Sequence, residues 1–198
     1  MLDVSFDYDG YKFRSVKECD INILSRWMKK NNNEDHVSLT DEQILYRRFL
    51  EYYITEDEFF IKVIKDEKIY GVIKGNITRE NDMELFLWMF IIDKKNRDRG
   101  EGKKIIESFF EYACKKYSLV RIKVGVSSEN KKALDFWKCL GFQVYRVSKN
   151  FFETSDEIFE NLVLMNKEKV LVWVIEIEMW IYKVRKVYRV FYISTFCL

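Results

Sequence analysis

The chain has 198 residues, 48% hydrophobic and 33% charged, with 34 basic against 32 acidic side chains and a formal net charge of +2. That profile suits one soluble globular domain with an appendage at most, and it excludes a largely disordered chain or two full domains. Near-balanced charge gives no case for nucleic acid as a partner.

The four cysteines, Cys19, Cys114, Cys139 and Cys197, form no C-x-x-C pair and follow no signal peptide, which fits reduced thiols in a cytoplasmic protein. His36 is the single histidine and sits in the polar stretch NNNEDHV. Histidine-based nucleophilic catalysis and a zinc site therefore have little to build on, and no metal is expected.

YKFRSV, residues 11–16, is rich in strand formers and reads as the first strand. Asp20 is placed to cap a helix to Lys30 in which Ile21, Leu24, Trp27 and Met28 recur at helical spacing. NNNEDHV breaks that helix, and Thr40 with Gln43 forms a capping box for a second one containing Ile44, Leu45, Arg48 and Phe49. Residues 59–65 and 69–78 read as a hairpin turning at Asp66, Glu67 and Lys68, followed by a second turn at residues 79–82. MELFLWMFII, residues 83–92, is nearly all apolar, as a central strand covered on both faces would be.

NRDRGEGKK, residues 96–104, places Gly100 and Gly102, two of only seven glycines in a chain without proline, among cations. An amphipathic helix follows, with Ile105, Ile106, Phe109, Phe110, Ala113 and Cys114 on its apolar face. RIKVGVS (121–127) is a strand, and Ser128 is placed to cap a helix to Leu140 that Gly141 ends. FQVYRV (142–147) and IFENLVLM (158–165) complete the order β-α-α-β-β-β-α-β-α-β-β, a mixed α/β sheet with helices packed on it.

A strand entering a helix through a glycine turn leaves the first N–H groups of that helix unpaired, with the positive end of its dipole facing outward. Lacking Cβ atoms, Gly100 and Gly102 let a diphosphate approach the backbone of residues 97–103, and Arg97, Arg99, Lys103 and Lys104 supply charge nearby. A glycine turn with a solvated basic flank has the same sequence, so this stretch alone leaves both readings open. Neither the P-loop pattern G-x-x-x-x-G-K-[ST] nor the three-glycine dinucleotide pattern is present.

What remains, R-x-x-G-x-G carried by Arg97, Gly100 and Gly102, resembles the acetyl-coenzyme A (acetyl-CoA) signature of the GNAT N-acetyltransferase superfamily. ENKKALDFWKCLGF, residues 129–142, resembles the next motif of that family through Asn130, Ala133, the aromatic pair Phe136 and Trp137, and the closing Leu-Gly-Phe. ENLVLMNK resembles its closing strand. The resemblance spans residues 11–167 and is specific over residues 84–147.

It implies an α/β (α+β) fold with a mixed, mostly antiparallel sheet, a splayed central strand pair and helices on both faces. The domain would occupy residues 1–168, with an extension over residues 169–198 that packs on the domain or, in a homodimer, on a second subunit. Acetyl-CoA is the implied cosubstrate, its pantetheine pairing with the backbone of Phe90, Ile91 and Ile92 as an added strand would. Its diphosphate is assigned to Arg97, Asp98, Arg99, Gly100, Glu101, Gly102 and Lys103, and its thiol end to Asn130, Ala133, Phe136 and Trp137. In the family an amine attacks the thioester carbonyl directly, so Cys139 is read as a packing thiol.

A lysine-like amine has a pKa of about 10.4 and must lose a proton before it attacks. Histone-type members place a glutamate on the central strand where this chain has Phe86, and Glu84, two residues earlier on the same strand face, is the base candidate through water. Where many members have a tyrosine as proton donor to the thiolate, this chain has Trp137, whose N–H is no acid; Tyr145 or a water is the alternative donor.

The stretches NNNEDHVSLTDE and SKNFFETSDE, which the resemblance assigns to the acceptor site, carry acids suited to a cationic amine. The leading reading is therefore an acetyltransferase for a small cationic amine, with one for protein α-amines or lysines and a noncatalytic CoA-binding module as the alternatives. In the extension, Glu176, Glu178, Lys183, Arg185, Lys186 and Arg189 interrupt the apolar residues too often for a membrane span. Its stripe of Ile177, Ile181, Val184, Tyr188 and Phe191 is suited to packing.

Overall fold

The computed structural model describes residues 1–31, 42–79, 83–153 and 159–168. In chain order the elements are β1 (Ser5–Tyr8), β2 (Tyr11–Ser15), α1 (Ile21–Asn31), α2 (Glu42–Ile54), β3 (Glu58–Lys65), β4 (Lys68–Thr78), β5 (Glu84–Ile92), α3 (Glu101–Tyr117), β6 (Arg121–Ser127), α4 (Lys131–Cys139), β7 (Gln143–Glu153) and β8 (Phe159–Glu168). Every expected strand and helix is present and one strand is added. β1 pairs antiparallel with β2 across Asp9 and Gly10, whose φ values of 47° and 79° are those of a tight hairpin turn with both central residues left-handed.

Eight strands form one sheet in the order β1-β2-β3-β4-β5-β6-β8-β7. The pairs from β1 to β5 and the β7–β8 pair are antiparallel, whereas β5 and β6 run parallel because α3 crosses over between them. Helices cover both faces. Ile105, Ile106, Phe109 and Ala113 of α3 join Phe59, Ile61, Leu85 and Leu87 in one core. Leu24 and Met28 of α1 and Leu45, Phe49 and Tyr52 of α2 join Phe60 and Val72 in the other. The consecutive apolar run Phe59-Phe60-Ile61 thus has a physical cause, since β3 is buried from both sides.

Two expected caps differ from those formed. The Asp20 carboxylate accepts from the Lys17 N–H at 2.8 Å, closing a short 3-10 turn ahead of α1, and also takes the Lys62 ammonium. Asn130 rather than Ser128 caps α4, accepting from the Ala133 N–H at 3.0 Å. The end of α4 is as expected: Gly141, with φ of 85°, donates to the Lys138 carbonyl at 2.9 Å while Phe142 donates to that of Trp137 at 3.1 Å. The Phe142 and Trp137 rings meet with centroids 5.1 Å apart, the apolar contact that accompanies such an ending.

The hairpin between β3 and β4 turns on Asp66 and Glu67 alone, with φ of 49° and 56°, and Lys68 already belongs to β4. The Thr40 capping box, His36 and the whole of residues 169–198 lie outside the described residues. Among the described residues no helix is long and apolar enough to cross a membrane.

Candidate functional site

β5 holds the site together. Its register against β4 runs Lys74↔Met89 and then Gly75↔Leu87, so Trp88 is an extra residue, a β-bulge. The bulge reverses the alternation of faces: Leu85, Leu87, Phe90 and Ile92 pack with the α3 core, whereas Met89 and Ile91 pack with the α1 and α2 core. Trp88 itself is 59% exposed, so the expected cover on both faces is lost there. Its indole N–H donates to Asn76 Oδ1 at 2.9 Å.

The parallel pairing of β5 with β6 begins at Glu84↔Arg121 and ends at Leu87↔Val124. Beyond it residues 88–92 and 125–127 bound a wedge, and Phe90, Ile91 and Ile92 lie on its β5 side. The splay starts where the bulge starts, because an extra residue twists and bends the strand that carries it.

The loop from β5 to α3 is built from short-range bonds. Asp93 Oδ1 accepts from the Lys95 N–H at 3.0 Å and starts a 3-10 turn, Asp98 has φ of 58°, and Gly100 has φ of 77° at the N-cap of α3. No side chain caps this helix, and its first backbone bond runs from the Lys104 N–H to the Gly100 carbonyl at 3.2 Å. The N–H groups of Glu101, Gly102 and Lys103 precede that bond, which leaves them for an anion. A Cβ on Gly100 would meet nothing within 4 Å, so open space lies over the loop. At Gly102 it would touch Ile92 Cγ1 at 3.6 Å and Phe136 Cε2 at 3.8 Å, an ordinary contact, so Gly102 is needed less than Gly100. Arg99, Lys103 and Lys104 are exposed beside the loop.

Arg97 departs from the expected role of a charge presented to diphosphate. Its Nε donates to the Ile92 carbonyl at 2.9 Å and its Nη2 to the Asn31 carbonyl at 2.6 Å, so the guanidinium fastens the loop to the ends of β5 and α1. Burial lowers its pKa from the ordinary value, with Asp93 and Asp98 opposing. The buried Asn31 adds a second tie, its Oδ1 accepting from the Lys94 N–H at 2.8 Å. Nothing in the run of asparagines around Asn31 marks it out, since the contact joins residues 63 positions apart.

The thiol-end candidates lie on α4. The Asn130 amide oxygen is engaged in the helix cap, and Ala133 is partly buried. The Phe136 ring lies 6.0 Å from that of Phe90 and 5.0 Å from that of Trp137, and Trp137, 5% exposed, also faces Phe110 and Phe142. That aromatic environment gives Trp137 a packing role.

On the sheet face across from α3, Asn76, Thr78, Glu84, Phe86, Trp88 and Lys123 line a cleft of about 210 Å³. Glu84 accepts from both Arg121 and Lys123 on β6. Burial raises the pKa of its carboxyl, but the hydrogen bonds and charges of Lys123 and Arg121 outweigh this and hold it below the ordinary carboxylate value. Glu84 is therefore ionised, and a weaker proton acceptor than a free glutamate. Tyr145 is the extra residue of a bulge in β7, half-exposed, with the Lys123 ammonium 5.9 Å from its ring centroid. A separate hollow of about 530 Å³ between α1 and α2, bordered by Glu18, Glu42, Tyr46 and Arg47, shares no lining residue with the cleft.

Residues 13–163 match the family model described as an acetyltransferase (GNAT) domain. An N-acetyltransferase 9-like protein of Schizosaccharomyces pombe is 29% identical over 83 residues, 38% of each chain, so the match spans well under half of that relative's length. Among solved structures, the ribosomal-protein-S5-alanine acetyltransferase of Vibrio fischeri superposes with a TM-score of 0.67 at 18% identity, over 85% of this chain and 98% of that one. A Salmonella typhimurium acetyl transferase that modifies the N-terminal serine of ribosomal protein L7/L12 gives 0.71 at 11% identity, over 82% and 96% of the chains. A mutant spermidine N-acetyltransferase from Vibrio cholerae gives 0.66 at 13%, over 81% and 95%. At such identities these three establish likeness of fold.

Proposed function

The chain belongs to the GNAT acetyltransferase family, and on that footing we propose that it transfers an acetyl group from acetyl-CoA to a primary amine by direct attack within a ternary complex. The observation that carries the reading is a coincidence in space. The bulge at Trp88, the parting of β5 from β6 after Leu87, and the uncapped amides of Glu101 to Lys103 all occur along one strand and the loop that leaves it.

These residues fit the cosubstrate. The left-handed Gly100, over which a Cβ would meet nothing within 4 Å, gives room for a diphosphate on main-chain N–H groups, and Arg99, Lys103 and Lys104 add charge. When bound, acetyl-CoA supplies an activated acyl carbon and a thiol leaving group. The backbone of Phe90, Ile91 and Ile92 offers strand-like pairing for its pantetheine arm, and Phe136, Trp137 and Phe90 form an apolar wall for its thiol end.

The amine enters from the face of Glu84, Phe86 and Trp88. Ion-paired with Lys123 and Arg121, Glu84 holds these cations in place and contributes little basicity, so the ammonium gives up its proton to solvent before the free amine attacks, and the N–H proton released as the amide forms also passes to solvent. Water or Tyr145 returns a proton to the leaving thiolate. Residues 1–168 carry all of these groups.

For the acceptor, the cleft favours a single amine on a polypeptide over a small polycation. Among the described residues its one carboxylate, Glu84, is already neutralised by two cations, and the exposed indole of Trp88 suits contact with a chain that runs past it. Release of free CoA thiol tests this, with peptides bearing a free α-amine or lysine, with spermidine, and with Gly100→Glu as control. Acetylation of the peptides in preference to spermidine is the expected result. Preference for spermidine refutes the acceptor assignment, and CoA binding without transfer to any amine refutes catalysis.

A further inference from the structure

The loop assigned to diphosphate contains two carboxylates, the exposed Asp98 and the partly buried Glu101, and a loop that holds a dianion is a poor place for the buried one. Glu101 is the first residue of α3, where a negative charge stabilises the helix through its dipole. That same positive helix end is what a diphosphate would use, so Glu101 competes with the ligand. Its Oε2 is shielded from solvent and accepts no hydrogen bond among the described residues.

What faces it is Lys65, the last residue of β3, beside the tight turn of Asp66 and Glu67. The Lys65 ammonium lies 3.8 Å from Glu101 Oε2, in ion-pair range. The ammonium is held there by aromatic rings: it sits 4.5 Å from the Tyr11 ring centroid, 5.6 Å from that of Tyr70 and 3.4 Å from the Tyr11 hydroxyl. Tyr11 is buried and meets Tyr70 edge-on at 5.9 Å, so the socket is preformed. Neither partner of the pair is fully exposed, with 31% of the Lys65 side chain and 22% of that of Glu101 accessible, so solvent screens it only in part.

We propose that Lys65 is a positioning residue for the cofactor loop: held between Tyr11 and Tyr70, its ammonium neutralises Glu101 so that the first turn of α3 attracts a diphosphate. The proposal rests on the reading of residues 97–103 as the diphosphate site. A merely structural Lys65 would stabilise the hairpin and leave the charge of Glu101 irrelevant to binding, so the two roles separate when both residues are changed.

The test is the dissociation constant of CoA, by calorimetry, for the full chain and for Lys65→Met, Glu101→Gln, the double variant and Lys65→Arg, each with its melting temperature. Lys65→Met is expected to weaken CoA binding about fivefold, the scale of a partly screened ion pair. Glu101→Gln is expected to bind at least as tightly as wild type, the double variant to recover to within about twofold of Glu101→Gln, and Lys65→Arg to retain affinity. Unchanged affinity in Lys65→Met, or a double variant as weak as Lys65→Met alone, overturns the assignment. If Lys65→Met does not fold, Glu101→Gln decides by itself, because weaker binding in that variant refutes a competing carboxylate. A wild-type chain that binds no CoA overturns the diphosphate reading, and this proposal with it.

Discussion

Gly10 and Gly100 form a matched pair that separates backbone strain from ligand space. Both are left-handed, with φ of 79° and 77°, and at both a Cβ would meet nothing within 4 Å. Placing alanine in that conformation costs about 1–2 kcal/mol, and the smaller conformational freedom of the unfolded chain returns about 0.4–1 kcal/mol. Each substitution should thus destabilise by about 1 kcal/mol, a drop in Tm of about 2–4 °C for a domain of this size. Their effects on ligand differ. Gly10 lies in the β1–β2 hairpin turn, whereas Gly100 lies at the head of the amides of α3. A methyl group that lifts a diphosphate off one of those amides removes a charge-assisted hydrogen bond of about 1.5–3 kcal/mol, a loss of about tenfold or more in affinity. Thermal unfolding and calorimetric titration with CoA measure both quantities on the same samples. Equal losses of stability with a binding defect confined to Gly100→Ala is the expected result. If the two variants bind CoA alike, the open space over Gly100 is solvent and the cradle is misassigned.

Three further outcomes are expected. Arg97→Met removes the bonds to the Ile92 and Asn31 carbonyls, and should lower both Tm and CoA affinity. Arg97→Lys should fail to restore them, because one ammonium does not span two carbonyls held by different nitrogens of a planar fork. Trp137→Ala opens a large cavity among Phe90, Phe110, Phe136 and Phe142 and should cost about 3–5 kcal/mol by denaturant unfolding. Trp137→Phe should leave kcat within a few-fold, far from the loss of about 10²–10⁴-fold expected when a general acid is removed. The carboxyl of Glu84 is held below its ordinary value of 4.5. Its contribution to stability is therefore fully present above that pH and is lost as pH falls through the lower native value. Glu84→Gln should flatten this acid limb in pH-dependent unfolding. It should also leave intact the rise of kcat/KM with pH above about 6, which reports ionisation of the amine. Loss of that rise would return the role of base to Glu84.

What could be read from the chain alone follows from how far apart the interacting residues lie. The glycine turn from β5 into α3 was legible because its requirement is local: a glycine needed at positive φ, the turn before it and the start of the helix after it lie within ten residues. The ending of α4 at Gly141 was legible for the same reason, and Asp9-Gly10 carried an equally local hairpin signal that marks β1. The bulge at Trp88 was not legible, because an apolar run buried on both faces reads the same with or without an extra residue. Glu84 shows the larger difficulty. As the first residue of a strand it reads as an available base, and only the parallel register that sets Glu84 opposite Arg121, with Lys123 two residues on, turns it into a paired anion. That register joins residues 37 and 39 positions apart through a crossover helix, and no periodicity encodes it. Arg97 inverts the case, since it belongs to the motif that first identified the loop, yet its side chain bonds α1, 66 residues away. The backbone geometry of the turn therefore survives reading from sequence, whereas the roles expected of Arg97 and Glu84 depended on which distant partner had already claimed each charge.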